Sequence, residues 1–365
     1  MQSRQRPDMI LLGSILALLA IGTVMVYSSS AVKGYLQFND PLHYFKLEII
    51  WVGISLAAMI FSMRIDLLFL RKWIKPALYL AIVLLILVKV PGIGRRVNGA
   101  DRWIGLGPLS IQPSEIIKLV MIFVMAHLLA LDPYKIRFFR KGLLPILGLL
   151  GLISGLIMLQ PDLGTTLALA GTTFFMLIAA GARVGHLLTL GGAGLGLIIA
   201  AIAAAPYRMR RILAFLDPWA DPSGKGFQTI QALLALGPGG LFGLGLGQSR
   251  QKFLYLPENH TDFIFAMIGE ELGFVGATLV ILLFFLLVWR GYKVAMGATD
   301  AFTGLLAVGL TSMIAIQAMI NMGVVSGILP VTGITLPFLS YGGTSLVFTM
   351  LGVGVLLNIS RGVKR

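Results

Sequence analysis

The stretch DFIFAMIGEELGFVGATLVILLFFLLVW, residues 262–289, decides the fold. An α-helix crosses the hydrocarbon core of a bilayer with about 20 predominantly apolar residues. This run exceeds that length, and beyond Asp262 its only charges are Glu270 and Glu271. Similar runs lie near 9–30, 47–63, 74–91, 112–131, 143–160, 163–181, 187–205, 302–325 and 340–359. The 365-residue chain is 57% hydrophobic and 12% charged, more apolar than a soluble domain needs to be. The expected fold is all-α: a polytopic membrane protein with about ten transmembrane helices, read as one transmembrane domain over 1–365. Runs 143–160 and 163–181 are separated only by Gln160-Pro161-Asp162, which predicts a tight turn.

Lys and Arg in short loops set the orientation, because they accumulate on the cytoplasmic side. With both termini inside, inner segments hold more than half of the 29 basic residues, among them Arg64, Arg71, Lys72, Lys75, Lys135, Arg137, Arg140 and Lys141. The short outer loops hold Lys33, Lys46, Arg95, Arg96 and Arg102. The long polar, glycine-rich segment of about 206–260 then faces outward. Ser28-Ser29-Ser30-Ala31 resembles a signal-peptide cleavage site, but the preceding apolar run is too long for one and reads as an uncleaved anchor. The chain has no cysteine, which excludes disulfides, thiolate catalysis and Cys-ligated zinc. The net charge of +14 fits basic inner loops and anionic lipid head groups, so no nucleic-acid partner is expected.

Two further outer segments are irregular. Residues 91–112 carry Pro91, Gly92, Gly94, Asn98, Gly99 and three arginines, and residues 326–343 carry Gly327, Pro330, Gly333, Pro337, Gly342 and Gly343. Such a backbone enters a bilayer only where protein buries it or water wets it. All three irregular segments share one face, which predicts a cavity open to the outside.

Candidates for chemistry gather on that face. Asp262 stands where a long apolar helix begins, and two readings are open. It can act as a general base on a hydroxyl, or it can cap the helix, since acids suit a first turn. Arginines of the loops would lower its pKa, whereas burial would raise it. Glu115 and Lys118 lie three apart and share a helix face. A lone charge at that depth is costly, so they are expected to pair, either as a structural ion pair or as the lining of the outer cavity. Arg208, Arg210 and Arg211, with Arg95, Arg96 and Arg102, suit either lipid head groups or a pyrophosphate, which guanidinium binds bidentately. The glycine run from Gly237 to Gly247 lacks the Gly-Lys-Ser/Thr of a nucleotide loop and reads as close backbone packing. Residues 227–236 read as a short interfacial helix. His43, His186 and His260 have no metal-site spacing and His127 falls within a span. Asp217 and Asp221 read as turn formers, and one of Glu270 and Glu271 is expected to meet a polar partner in the bundle.

Seven motifs follow in order: Asn98-Gly-Ala-Asp-Arg-Trp-Ile, Gln112-Pro-Ser-Glu-Ile-Ile-Lys118, Gln160-Pro-Asp-Leu-Gly-Thr165, Gly247-Gln-Ser-Arg-Gln-Lys252, Leu256-Pro-Glu-Asn-His-Thr-Asp-Phe-Ile-Phe265, Gly327-Ile-Leu-Pro-Val-Thr-Gly333 and Pro337-Phe-Leu-Ser-Tyr-Gly-Gly343. From the first span to the last, the chain resembles the SEDS family, the shape, elongation, division and sporulation proteins of bacteria. The resemblance is closer to the division and sporulation branch. Asn259 stands where the division branch often has Pro.

The resemblance implies a peptidoglycan glycosyltransferase of the bacterial cytoplasmic membrane, active on the extracytoplasmic side. Lipid II, a disaccharide-peptide on undecaprenyl pyrophosphate, would be both donor and acceptor. Asp262 would be the essential acid, deprotonating the acceptor sugar hydroxyl. Glu115 and Lys118 match the family's polar pair lining the cavity. The outer cations Arg102, Arg208, Arg211, Arg250 and Lys252 would bind substrate and offset leaving-group charge, without that role falling to one of them. A divalent cation, Mg or Mn, at the pyrophosphate is compatible with the chemistry, although no ligand set in the sequence fixes it; no organic cofactor is implied. Implied partners are a class B penicillin-binding protein, the division or sporulation cell-wall machinery, and membrane lipids. A lipid II flippase and a scaffold for a partner synthase are the alternative readings. A transporter places charged or broken helices near the midplane, whereas the polar motifs here cluster at one face.

Overall fold

Among the described residues four aspartates start α-helices. The carboxylates of Asp8, Asp66, Asp162 and Asp300 each accept one or two of the first free main-chain N–H groups of α1 (Met9–Phe38), α3 (Leu67–Leu87), α6 (Leu163–Ala179) and α11 (Ala301–Val325). The other long helices are α2 (His43–Ser62), α4 (Pro113–Leu131), α5 (Leu144–Met158), α7 (Val184–Ala203), α10 (Ile264–Met296) and α12 (Gly343–Ser360). Two short helices, α8 (Pro206–Leu216) and α9 (Phe227–Leu236), lie in the long loop. The computed structural model describes residues 6–97, 100–105 and 110–363; Asn98 and Gly99 of the first motif and the side chain of Arg96 lie outside the described residues.

Among the described residues eight helices are long and apolar enough to cross a membrane. The remaining two of the ten expected spans are α6, with 17 residues, and α3, which carries Arg71, Lys72 and Lys75 in its first half. The protein is a polytopic all-α membrane protein. The boundaries shift from those expected, most at α1, which stays helical to Phe38. Gln160 and Asp162 do form a tight turn between α5 and α6. Helix α11 packs against α4, α6, α10 and α12 and is the most enclosed of the spans. Around it α1 packs on α10 and α2, α2 on α12, and α3 on α4. Helix α7 has no buried residue. Residues 91–112, expected to be irregular, hold a short hairpin in which β1 (Gly94–Val97) pairs antiparallel with β2 (Ala100–Ile104).

The longest helix is broken. At Gly273 the backbone of α10 has φ 67° and ψ −164°, a region only glycine visits freely. The break frees main-chain groups roughly 13 Å along the helix from its start, where orphaned groups would be costly. The glycine-rich run 237–247 supplies the partners. Leu244 and Gly245 donate to the Glu270 and Glu271 carbonyls at 2.9 and 3.0 Å, and Phe274 and Val275 donate to Gly240 and Leu241 at 2.9 and 3.1 Å. The long loop thus packs into the break of a membrane-spanning helix as well as connecting two spans.

The same contact explains Glu270 and Glu271, both buried. Glu271 accepts hydrogen bonds from Ser28 of α1 at 2.7 Å and from the Gly247 and Ser249 N–H groups at 3.0 and 3.3 Å. Glu270 accepts from the Ser249 hydroxyl and from the Arg250 N–H. Both acids, not one, are partnered by the loop.

At the opposite end of the bundle the first and last helices meet. The Asp8 N–H donates to the Ser360 hydroxyl at 3.0 Å, and the Asp8 carboxylate accepts from Arg290 Nε of α10 at 3.0 Å. Asn358 donates to the Ile65 carbonyl at 2.6 Å, tying α12 to the α2–α3 turn.

Candidate functional site

Asp262 differs from the four capping aspartates. Helix α10 begins at Ile264, its N-cap is Phe263, and no side chain caps it. The capping expectation for Thr261 and Asp262 is corrected: the first turn starts too late for either to reach its free N–H groups. Among the described residues nothing donates a hydrogen bond to the Asp262 carboxylate. The residue is half-buried.

What holds residue 262 is its main chain. The carbonyls of three successive residues are each taken by a donor from α11 or from the irregular segment after it. His260 accepts from the Tyr341 N–H at 2.9 Å, Thr261 from the Ser340 hydroxyl at 2.5 Å, and Asp262 from Asn321 Nδ2 at 2.7 Å. Asn321 Nδ2 also donates to the Ile334 carbonyl at 2.7 Å, and Ser340 Oγ accepts from the Leu336 N–H at 2.8 Å. Gly333 belongs to the same wall: a Cβ there would lie 3.5 Å from Asp262 Oδ2.

Burial pushes the Asp262 carboxyl up to about 7, and the neighbouring Glu258 and Asp162 act in the same direction; Arg102 and Arg211 oppose them. Of the two opposed influences foreseen from the sequence, burial prevails. His260 is pushed down to about 4, chiefly by burial with Lys33 adding to it, so its ring is neutral. That ring lies against Tyr44 and Tyr341, with centroids 5.1 and 5.7 Å away.

The outer cations divide. Arg102, on β2, donates to the Gln160 and Pro161 carbonyls at 2.9 and 2.6 Å and lies 4.0 Å from Asp162, which fastens the hairpin to the α5–α6 turn beside Asp262. Arg211, on α8, donates to the Val331 carbonyl at 3.1 Å and faces the same site. Arg208 instead turns back to the Ala201 carbonyl of α7 at 2.8 Å and packs over Tyr207. Lys252 is buried, donates to the Gly247 carbonyl and lies 4.0 Å from Glu271. Arg250 has its main-chain N–H on Glu270 and is exposed. Arg102 and Arg211 are therefore the cations of this group that bear on Asp262; Arg208 and Lys252 are engaged elsewhere, and Arg250 is exposed.

Glu115 and Lys118 pair at 2.8 Å, both buried. They line a cavity of about 30 Å³ between α4, α11 and α12, with Gln317 and Thr349 as its other polar groups. Neither residue is among the charges that bear on Asp262.

Among the described residues no three His, Asp or Glu side chains converge as a metal site. Asp162, the acid on α6 nearest Asp262, spends its oxygens on the Thr165 N–H and hydroxyl at 3.0 and 2.9 Å. The residues present do not form a cage for a divalent cation. Glu258, Asn321 and Ser340 were missed as site residues in the sequence. Glu258 and Ser340 lie inside quoted motifs, but Asn321 carries no local signal.

The arrangement is a half-buried acid with a raised pKa just before the longest helix, with Arg102 and Arg211 near enough to oppose that rise. With the spans around it, this places the chain among membrane-embedded proteins, and the relatives below make it an enzyme. The chain belongs to the FtsW/RodA/SpoVE family of cell cycle proteins, whose family model matches residues 9–365. It is 52% identical over 355 residues to stage V sporulation protein E of Bacillus subtilis (strain 168), covering 97% of each chain. It is 44% identical to the probable peptidoglycan glycosyltransferase FtsW of Trichlorobacter lovleyi, covering 98% of this chain and 94% of that one. Among solved structures, a chain from "Structural coordination of polymerization and crosslinking by a peptidoglycan synthase complex" matches with TM-score 0.80 and 31% identity over 98% of both chains. The rod shape-determining protein RodA of Thermus thermophilus matches with TM-score 0.72 and 30% identity, again over 98% of both.

Proposed function

We infer that this protein is a peptidoglycan glycosyltransferase that polymerises lipid II into glycan strands, in division or sporulation, with Asp262 as the general base. The observation that carries the assignment is the Asp262 carboxyl, free of hydrogen bonds among the described residues and raised to about 7. A base poised near the working pH combines ionisation with driving force for proton transfer.

The acceptor GlcNAc 4-hydroxyl gives its proton to Asp262 as its oxygen attacks the anomeric carbon of the donor MurNAc. The new C–O bond forms as the bond from that carbon to the pyrophosphate oxygen breaks. Undecaprenyl pyrophosphate leaves with the electron pair and the configuration inverts. Arg102 and Arg211 face the leaving anion, where fixed positive charge favours the transition state. No step is routed through a metal. The Lys and Arg distribution supports an extracytoplasmic site, and the likeness to a chain of a peptidoglycan synthase complex supports a class B penicillin-binding protein as partner.

Reconstitution of the purified protein with lipid II and its cognate transpeptidase tests this. Asp262→Asn, correctly assembled, is expected to make no glycan strands. Strands from that variant would overturn the base assignment. Passage of labelled lipid II across otherwise empty vesicles, without polymer, would favour a flippase.

A further inference from the structure

We propose that Asn321 and Ser340 are positioning residues for glycosyl transfer: they hold the main chain of residues 260–262 so that the Asp262 carboxylate is placed without being engaged. The proposal rests on the assignment of Asp262 as the base.

A base must be placed to within a fraction of an ångström and yet keep its oxygens free for substrate. Glu258, Asp162, Arg102 and Arg211 face the Asp262 carboxylate from its own loop, α6, β2 and α8. None of them hydrogen-bonds it among the described residues, so its position is set through the backbone. Three consecutive carbonyls, 260 to 262, are pinned by Tyr341 N–H, Ser340 Oγ and Asn321 Nδ2 at 2.9, 2.5 and 2.7 Å. Two of these donors are side chains and can be removed by substitution.

Asn321 is the stronger case. It is buried, and both Nδ2 hydrogens are spent, one on Asp262 and one on Ile334. Both partners are carbonyl oxygens, which fixes the orientation of the amide. Among the described residues its Oδ1 is buried without a partner. Buried polar atoms are seldom left so, and local rules are broken most often where function requires it. The amide joins the start of α10 to the segment carrying Gly333, so the two walls that meet at the carboxylate share one fastening.

The test is steady-state polymerisation of lipid II by the full-length protein with its cognate transpeptidase, measured from pH 5 to 9. Asn321→Leu and Ser340→Ala are expected to lower kcat roughly 10- to 100-fold, the scale of an ångström's misplacement of a reacting group. KM for lipid II stays within about twofold, because bulk substrate contacts are untouched. Ser340→Thr keeps the hydroxyl and retains most of the rate. The midpoint of the acid limb, expected near 7 in the parent because burial raises the Asp262 carboxyl, should move down in the two damaging variants as that carboxyl becomes better hydrated. Monodisperse variants with parental kcat would overturn the proposal. So would a rate that falls only in proportion to folded protein, with an unchanged pH profile. If Asn321→Leu does not assemble, the comparison of Ser340→Ala with Ser340→Thr decides. Asp262→Asn run alongside separates the two failures: an active Asp262→Asn sinks the base itself, whereas an inactive one beside fully active Asn321→Leu and Ser340→Ala sinks only the positioning.

Discussion

Phe274, inside the longest helix, donates its main-chain N–H to Gly240 at 2.9 Å rather than to Glu270, four residues earlier in its own helix. The Glu270 carbonyl is satisfied in turn by Leu244. A segment that looks like an outer loop has therefore replaced part of a transmembrane helix's own hydrogen bonding. The exchange holds only while Gly243 and Gly273 lie backbone to backbone, with no Cβ between them.

Gly273→Ala should break this contact. The backbone region costs a residue with Cβ about 1–3 kcal/mol, and the added methyl would lie 2.7 Å from the Leu241 carbonyl oxygen. We expect a lowered Tm in detergent and early protease cleavage near residue 246. Gly148→Ala in α5, where a Cβ would meet nothing within 4 Å, is the control and should leave Tm unchanged or slightly raised.

Glu271→Gln should destabilise the same region for another reason. Ser28, Gly247 and Ser249 all donate to the carboxylate, and an amide can accept at only one of its two heavy atoms. Each buried donor left unpaired costs roughly 1–3 kcal/mol. Thermal unfolding of Glu271→Gln and Ser28→Ala, singly and together, should show non-additivity, since the two share one interaction.

Asp262→Asn should be inactive yet more stable than the parent at alkaline pH. Because burial raises the folded-state pKa of Asp262 to about 7 from an ordinary 3.8, the folded chain binds more protons than the unfolded chain between those values. Stability carried by the protonated group is full below the unfolded pKa and is lost as pH rises through about 7. The Tm difference between Asp262→Asn and parent should grow in favour of the variant from pH 4 to pH 8. A difference that does not change with pH would contradict this environment for Asp262.

Lys118→Met leaves Glu115 buried without its partner and should cost about 3–5 kcal/mol, a typical penalty for breaking a buried pair. Glu115→Gln combined with Lys118→Met should recover much of that stability. Polymerisation by the stabilised double variant then separates the two roles open for the pair. Full activity means the pair only holds α4 in place; lost activity with restored Tm means it serves the reaction.

The spans were legible because length and hydropathy report a bilayer directly, and the Gln160–Asp162 turn because two apolar runs leave three residues between them. Asp262 stood out as a charge at the head of such a run. Its partners did not, since Asn321 lies 59 residues away in an ordinary helical stretch. Spacing alone also suggested that Asp262 caps α10, which failed because capping depends on where the first turn closes, two residues later than the apolar run suggests. The glycine run was rightly seen as close packing, but its partner at Gly273 could not be found locally, because the bonds that join them are main-chain and carry no side-chain pattern. Lys252, a cation in a loop by sequence, is drawn inward by Glu271, a contact visible only once the loop enters the bundle.

The Asp8–Ser360–Arg290 cluster makes the start of α1 and the end of α12 neighbours in space. A short linker joining the two would close the chain into a ring without displacing a helix, leaving new ends to be opened on the far side.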